Sequence, residues 1–304
     1  MAVASDRRVF LAGLGALGLV GCGRGEASAP TDQTDPSAPA VRPIDLSDLE
    51  RDHGGRLGLA AMDFNQVSWR GDERFNYCST FKLFLAAATL ERVQRDEEAL
   101  DRAIKITAAD MIAHAPVTEA AVGQTLTIEA LMKATVEVSD NPAANILIRE
   151  MGGLDALRAW YRSIGDTVTT VDRLEPMLNV RAGDRDTTLP RQTMINLGWM
   201  LDTYKPLGFA SKYGPLWDWL INSPTGRGRI KAGVPNGWTV AHKTGTGGRG
   251  QTNDIGVIHP PVGEPIRIAV YYDAPAELEE AKREAVIAQA TQRALKALGH
   301  EAAV

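Results

Sequence analysis

A serine and a lysine three positions apart, Ser79 and Lys82, are of the types and spacing that covalent catalysis can use. They open an apolar run over residues 83–90, and positions i and i+3 of a helix share a face, so the amine would lie beside the hydroxyl. A serine hydroxyl is a poor nucleophile until a base takes its proton. A lysine can be that base when burial or neighbouring cations lower its pKa. The same pair also fits a helix N-cap serine followed by a solvated lysine, so the rest of the chain must decide.

Three further stretches contain residues that could assist such a serine. Residues 139–141 (Ser-Asp-Asn) lie on a predicted turn between two helices, and residues 243–245 (Lys-Thr-Gly) lie in a predicted strand. Residues 173–179 (Arg-Leu-Glu-Pro-Met-Leu-Asn) lie in a predicted long loop, and long ordered loops are usually functional. With Ser79 and Lys82, these stretches resemble the class A serine β-lactamases, in which such short motifs carry the reaction. The resemblance extends from about residue 44 to the C-terminal helix.

The resemblance implies roles in acylation for several residues. Ser79 would attack the lactam carbonyl and form an acyl-enzyme, Lys82 would carry the serine proton, and Ser139 would relay a proton to the departing lactam nitrogen. Lys243 would place positive charge near the substrate carboxylate and ease deprotonation of its neighbours. The backbone N–H groups of Ser79 and Thr246 would form an oxyanion hole, in which one donor lowers the barrier by about 3 kcal/mol.

Glu175 is the residue that would make the reaction a hydrolysis. An ester on serine is stable unless a water is activated to attack it, and a nearby carboxylate can do this. The resemblance places that water between Glu175 and Asn179, and it leaves open whether Glu175 or Lys82 is the base for acylation. It also implies an ion pair between Arg173 and Asp186 across the neck of the loop. The alternative is that Glu175 is an ordinary solvated carboxylate.

The resemblance also implies substrate contacts on both sides of the serine. Asn141 and the edge of the strand containing Thr244, Gly245 and Thr246 would hold the substrate's side-chain amide as an added strand. Gly245 would permit close approach of the backbone. Strict alternation puts the two threonines on one face and Lys243 on the other, so only the resemblance brings Lys243 into the pocket.

Two further residues occupy positions that bear on substrate binding in the family. Arg229 matches a position at which some members carry a guanidinium for the substrate carboxylate, and a surface arginine is the alternative. His114 stands where an aromatic residue usually lines the mouth of the cleft. Some carbapenem-hydrolysing members have a disulfide that starts at the residue before the serine. Here Cys78 would face Gly247, so that disulfide cannot form.

Two other functions share part of this pattern. A penicillin-binding D-alanyl-D-alanine peptidase has the Ser-x-x-Lys and Lys-Thr-Gly motifs but lacks the loop that carries Glu175. A penicillin sensor would be acylated and stay acylated. An ordinary Ser-His-Asp hydrolase would need a Gly-x-Ser-x-Gly motif after a strand, and the sequence contains none.

The order of elements predicts an α+β fold. A helix and two strands come first, many helices follow, and three strands and a helix close the chain. We expect an antiparallel five-stranded sheet flanked by the terminal helices (sheet lobe, residues 44–72 and 225–304) and an all-helical lobe (residues 73–224), with the active site in the cleft between them. Predicted helices cover residues 44–53, 79–95, 127–138, 141–151, 154–163, 277–298 and a stretch from 188, and predicted strands cover 56–63, 66–70, 238–246, 253–259 and 266–272. Asn141 is expected to cap its helix, with a proline in the first turn.

Composition narrows the class of partner. The chain has 304 residues and a formal net charge of -5, and no basic block lies in its body, so a nucleic-acid partner has no electrostatic support. Five scattered histidines show no paired metal-ligand spacing, and we expect neither a metal nor a cofactor. The expected ligand is a small β-lactam, and the expected state is a monomer.

The N-terminal residues have the form of an export signal. Arg7 and Arg8 precede an uncharged stretch over residues 9–21, which is too short to span a bilayer and resembles a twin-arginine signal. The stretch ends in a lipobox-like sequence at Cys22, which would be lipidated, and cleavage after Ala29 is the alternative. Residues 1–22 are therefore predicted to direct export to the periplasm. Residues 23–43 are predicted to be a disordered tether before the catalytic domain at 44–304.

Overall fold

The structure is a computed structural model that describes residues 41–204 and 214–300. The predicted export signal, with Cys22 and Ala29, and the tether up to residue 40 lie outside the described residues. In the part that is described, no helix is both long enough and apolar enough to cross a bilayer.

The described residues form one large sheet and two small ones. The strands are β1 (Val41–Pro43), β2 (Arg56–Met62), β3 (Gln66–Trp69), β4 (Phe75–Asn76), β5 (Ala103–Lys105), β6 (Thr125–Thr127), β7 (Thr187–Thr188), β8 (Thr239–Thr246), β9 (Gln251–His259) and β10 (Ile266–Asp273). The main sheet has the order β1-β3-β2-β10-β9-β8, so strands from both ends of the chain pair at its centre. All pairings from β3 to β8 are antiparallel, which confirms the predicted α+β core of five strands.

A sixth strand extends this sheet and corrects the predicted start of the domain. Strand β1 pairs parallel with β3, with Val41 opposite Gln66. Its residues were predicted to belong to the tether. The strand has only three residues and all are exposed, so it has no buried face that would produce an alternation of apolar and polar residues in the sequence.

The helices surround the sheet and fill the second lobe. They are α1 (Ser47–His53), α2 (Phe81–Gln94), α3 (Ile128–Glu137), α4 (Asn141–Met151), α5 (Leu154–Ser163), α6 (Pro190–Tyr204), α7 (Gly214–Asn222), α8 (Ile230–Gly233) and α9 (Glu280–Leu298). One apolar cluster joins α1 and α9 to the sheet, with Leu49, Val270 and Ile287 among its members. The terminal helices therefore cover the sheet, as predicted.

Helix α2 is the centre of the second lobe. Its residues from Phe81 to Leu90 are all buried, which agrees with the apolar run in the sequence. The lobe is not all-helical, because β4 pairs with β7 and β5 pairs with β6. These strands have two or three residues each, too few for a periodic pattern to show in the sequence.

Strand β8 lies at the open edge of the main sheet. On one side it pairs with β9, with Lys243 opposite Ile255 and Thr246 opposite Thr252. Its other side carries backbone N–H and C=O groups that have no partner strand in the sheet, and an extended ligand can pair with such an edge. The 3₁₀ turn that carries Ser79 (Cys78–Thr80, here called the serine turn) packs against β8.

Candidate active site

A cleft of about 420 Å³ lies between the two lobes and has walls from both. The helical lobe contributes five lining residues, and the sheet lobe contributes the β8 threonines, the turn before α8 and the start of α9. The lining residues are Ser79, His114, Ser139, Asn141, Asn179, Thr225, Gly226, Arg229, Thr244, Thr246, Glu280 and Glu284.

Ser79 lies on a single 3₁₀ turn that leads directly into α2. Cys78 before it has a positive φ of 48°, an uncommon conformation for a residue with a side chain. A Cβ built on Gly245 of β8 would lie 3.2 Å from the Ser79 backbone nitrogen and 2.8 Å from the Tyr77 carbonyl oxygen. Only glycine therefore lets β8 approach the serine turn this closely.

Lys82 is completely buried in the first turn of α2. Its Nζ donates to Ser139 O at 2.8 Å and to Asn141 Oδ1 at 2.5 Å, and it lies 3.0 Å from Glu175 Oε1. Burial lowers the pKa of Lys82, and the Glu175 carboxylate opposes that shift. Within the described residues no hydrogen bond joins Lys82 directly to Ser79. The predicted contact is instead indirect, because the Ser79 hydroxyl donates to the same Glu175 Oε1 at 3.3 Å.

Glu175 is buried, which excludes a solvated loop carboxylate. Asn179 Nδ2 donates to its Oε2, and Asn179 Oδ1 is buried with no hydrogen-bond partner among the described residues. The side chain of Asn145 accepts from the Glu175 backbone N–H at 3.0 Å and donates to its carbonyl oxygen at 2.9 Å. Sequence reasoning missed Asn145. The available signal was its position four residues after Asn141, on the same face of α4.

The loop that carries Glu175 is closed at its neck by Asp186. Its carboxylate accepts from Arg173 Nε at 2.5 Å, which confirms the predicted ion pair. It also accepts from the backbone N–H of Asp172 at 2.9 Å and from the Tyr77 hydroxyl at 3.2 Å. The Asp186 side chain has no exposed surface, so this pair is not of the weak, exposed type.

Ser139 lies on a turn with a positive φ of 61°, between α3 and α4. Its hydroxyl accepts from Lys243 Nζ at 3.1 Å and from Lys82 Nζ at 3.3 Å, so two lysines flank it. The cap of α4 is Asp140 and not Asn141 as predicted, because Asp140 Oδ1 accepts from the Ala143 N–H at 2.9 Å.

Lys243 is completely buried beneath the cleft. Its Nζ reaches Ser139 Oγ and also donates to the Thr244 carbonyl oxygen at 2.9 Å, while the side chains of Thr244 and Thr246 line the cleft. Burial, followed by the charge of Lys82, lowers the pKa of Lys243 well below its usual value. Alternation along β8 puts Lys243 on the face opposite the two threonines and did not predict this placement. The long lysine side chain nevertheless reaches Ser139 of the helical lobe.

Arg229 is buried and is not a surface arginine. Its Nε donates to Glu284 Oε1 at 2.9 Å, and its Nη2 donates to Thr246 Oγ1 at 3.0 Å. Its Nη1 donates to the carbonyl oxygens of Gly245 and Asn253 at 3.2 and 2.9 Å. The guanidinium therefore fixes the β8 edge and presents positive charge at the cleft.

His114 and Asn141 belong to the wall of the cleft that the helical lobe contributes. His114 Nε2 is 3.0 Å from the Val138 carbonyl oxygen, and its own carbonyl oxygen accepts from the Asn141 backbone N–H at 2.9 Å. The Asn141 side chain accepts from Lys82 and donates to the Ala113 carbonyl oxygen at 2.8 Å. This leaves one N–H of the Asn141 amide for a ligand.

The structure thus brings every sequence-predicted site residue to one place. Eight of them line the cleft directly. Lys82, Glu175 and Lys243 lie buried beneath it and are connected to Ser79 or Ser139 by hydrogen bonds, and Gly245 forms the close contact between β8 and the serine turn.

Comparison with known proteins agrees with this geometry. The profile of the β-lactamase enzyme family matches residues 44–298. The chain is 40% identical over 256 residues to β-lactamase CTX-M-8 of Citrobacter amalonaticus, which covers 81% of this chain and 85% of that protein. The solved structure of an ancestral class A β-lactamase has a TM-score of 0.74 and 44% identity, over 83% of this chain and 98% of that one. The class A β-lactamase from Mycobacterium abscessus has a TM-score of 0.74 and 40% identity, over 83% and 97%.

Motifs, fold and relatives therefore lead to the same assignment. The match to the family covers nearly all of the described residues, and the solved structures are similar along almost their whole length. The chain belongs to the β-lactamase enzyme family, and within it to the class A serine β-lactamases, as its motifs predicted.

Proposed function

We propose that this chain hydrolyses the amide bond of β-lactams in two steps, through an ester on Ser79, and thereby confers resistance to these antibiotics. The observation that carries the proposal is a connected set of hydrogen bonds. Glu175 Oε1 meets both the Ser79 hydroxyl, at 3.3 Å, and Lys82 Nζ, at 3.0 Å, while Asn179 holds Oε2. A nucleophile, a carboxylate base and a residue that orients the base are the parts that this reaction needs.

In the first step, Glu175 is the better placed base. Lys82 Nζ has three acceptors within 3.0 Å, which suits an ammonium that donates three hydrogen bonds and has no lone pair to accept a proton. The Ser79 proton therefore passes to Glu175 as the serine oxygen bonds to the lactam carbon. The C–N bond then breaks, and Ser139, which contacts both Lys82 and Lys243, gives its proton to the nitrogen. Lys82 replaces that proton and takes up the proton held by Glu175, so Glu175 is a carboxylate again before the second step.

The negative charge that develops on the carbonyl oxygen needs donors in the cleft. We assign these to the backbone N–H groups of Ser79 and Thr246. The close approach at Gly245 supports this assignment, because it holds β8 against the serine turn. Donors that are already oriented cost no reorganisation when the charge appears.

In the second step, Glu175 removes a proton from water as that water attacks the ester. Asn179 Oδ1, a buried acceptor, and Glu175 together offer two polar groups to one water molecule. Attack releases the ring-opened product and returns the proton to Ser79. Without this step the protein would be a sensor that stays acylated.

The substrate is held by charges and by the strand edge. Lys243, Thr244, Thr246 and Arg229 form the cationic, hydroxyl-rich end of the cleft, and we assign the ring carboxylate to it. Asn141 and the edge of β8 hold the side-chain amide on the other side, and His114 lines the mouth.

Nitrocefin hydrolysis by the wild type and by Glu175→Ala tests these roles. The wild type should turn over steadily, and the variant should accumulate an acyl adduct on Ser79 that mass spectrometry detects. Ser79→Ala is the control that should form no adduct. Full turnover by Glu175→Ala would remove its role, and a wild type that only becomes acylated would point to the sensor or to the D-alanyl-D-alanine peptidase. The relatives reported above are all named β-lactamases and favour neither alternative.

We also propose that residues 1–22 direct export to the periplasm and that Cys22 carries a lipid anchor for a monomeric catalytic domain starting near residue 41. The support is the Arg7-Arg8 pair and the apolar stretch before Cys22. Palmitate labelling that is lost in Cys22→Ala would support the anchor. Unchanged labelling, or a mature N-terminus after Ala29, would contradict it. Gel filtration with light scattering tests the monomer.

A further inference from the structure

Two carboxylates line the cleft at the start of α9, and their surroundings differ. Glu284 accepts from Arg229 Nε at 2.9 Å, and its side chain is 20% exposed, so its charge is compensated inside the protein. Glu280 is 65% exposed, and its contact with Arg229 Nη2 is 3.8 Å long. Glu280 is therefore the carboxylate in this wall whose charge remains available to a ligand.

Glu280 also lies close to the residues assigned to the substrate carboxylate. The Arg229 Nη2 that it approaches is the atom that donates to Thr246 Oγ1 at 3.0 Å. In cephalosporins the ring carbon next to the carboxylate-bearing carbon holds a variable substituent. Because that carbon is one bond from the carboxylate-bearing carbon, a carboxylate held at Thr246 and Arg229 would bring its substituent near Glu280, which lies 3.8 Å from the same Arg229 Nη2.

We infer that Glu280 is a specificity-determining residue that favours β-lactams with a cationic substituent next to the ring carboxylate. The inference rests on the proposed placement of that carboxylate. A carboxylate attracts a nearby cation, and the protein walls of the cleft reduce screening by solvent. Glu280 also lies in the first turn of α9, where a negative charge stabilises the helix, so an experiment must separate the two effects.

Cephaloridine and cephalothin make a matched pair of probes. They have the same thienylacetamido side chain, and they differ in the substituent next to the carboxylate-bearing carbon, which is a cationic pyridinium-methyl group in the first and a neutral acetoxymethyl group in the second. The quantity to measure is the ratio of kcat/KM for cephaloridine to kcat/KM for cephalothin. A ratio cancels any general effect of a variant on folding or on the shared carboxylate.

We expect Glu280→Gln to lower this ratio about threefold, in the range of a solvent-accessible ion pair. Glu280→Lys should lower it further, and both changes should shrink as the salt concentration rises. Glu279→Gln is the matched control, because Glu279 is the N-cap residue of the same helix, is 77% exposed and does not line the cleft.

The outcomes separate this inference from the proposed function. An unchanged ratio in Glu280→Gln and Glu280→Lys, with both cephalosporins still hydrolysed, would overturn the inference and leave the function intact. An equal fall in Glu279→Gln would also overturn it, because the effect would then belong to the helix. If the wild type hydrolyses nitrocefin but neither of these cephalosporins, the inference falls and the proposed function stands; if it does not hydrolyse nitrocefin either, both fall.

Discussion

Asn145 is predicted to hold Glu175 in its catalytic position, although it contacts neither the serine nor the cleft. Its amide makes two hydrogen bonds to the backbone of Glu175, of 3.0 and 2.9 Å. Asn145→Ala removes both and leaves the N–H and the C=O of a buried residue without these partners. Each bond is worth about 1 kcal/mol net, and the unpaired groups add to the loss, so the free energy of unfolding should fall by about 3 kcal/mol. For a domain of this size, that lowers Tm by about 6 °C.

The effect on catalysis should be greater on release of the ester than on its formation, because the strained lactam is a more reactive acyl group than the ester. The side chains of Ser79 and Lys82 keep their other contacts in Asn145→Ala, but the Glu175 carboxylate loses its fixed backbone. We expect an acyl adduct on Ser79 to accumulate during nitrocefin turnover, at a temperature well below the lowered Tm. Mass spectrometry after rapid quenching measures the adduct, and calorimetry measures Tm.

A matched substitution separates this role from a general effect of removing an amide. Gln292 is exposed on α9, away from the cleft. Gln292→Ala should leave both Tm and adduct formation unchanged. If Asn145→Ala behaves like Gln292→Ala in both assays, then the two hydrogen bonds do not position Glu175, and the reasoning is refuted.

Three other predictions follow from the geometry. Gly245→Ala should lower kcat/KM by about 100-fold, because the added Cβ would force β8 away from the serine turn and disturb the oxyanion hole. Gly248 faces open space, so Gly248→Ala should change kcat/KM little. Equal effects of the two substitutions would count against the close contact at Gly245. Asp186→Asn should lower the free energy of unfolding, measured by urea denaturation, by about 3 kcal/mol, because it breaks a buried ion pair. Asp184 lies on the surface, so Asp184→Asn should lower the same quantity by under about 0.5 kcal/mol. Burial lowers the pKa of Lys243, so this lysine loses its positive charge at a lower pH than an ordinary lysine does. KM should rise as the pH is raised through that range. Lys243→Arg should move that rise to higher pH, and a KM profile identical to the wild type would contradict this.

The long elements and the chemistry were predictable because their signals are local. The buried run in α2, the β-branched residues of β9 and β10 and the helix over residues 154–163 all depend on neighbours within a few positions. The three short motifs and the serine-lysine pair identify the reaction because each lies on one turn, strand or loop. Short strands such as β4 and β7 have no such local pattern and were missed.

The details of the site depended on contacts between distant parts of the chain. Asp140, not Asn141, caps α4 because it also accepts the backbone N–H groups of Val117 and Thr118, 23 and 22 positions away. Arg229 is buried because Glu284, 55 positions later, compensates its charge. Neither partner can be found from spacing along the sequence.

The sequence by itself therefore determined the reaction class and the family, and it predicted which side chains carry the reaction. Only the tertiary structure decided how they are connected. It joined Lys82 to Ser79 through Glu175, and it gave Glu175 a positioning partner in Asn145. The physical reason is that residue types set which chemistry is possible, whereas hydrogen bonds form between groups that the packing of two lobes brings within about 3 Å.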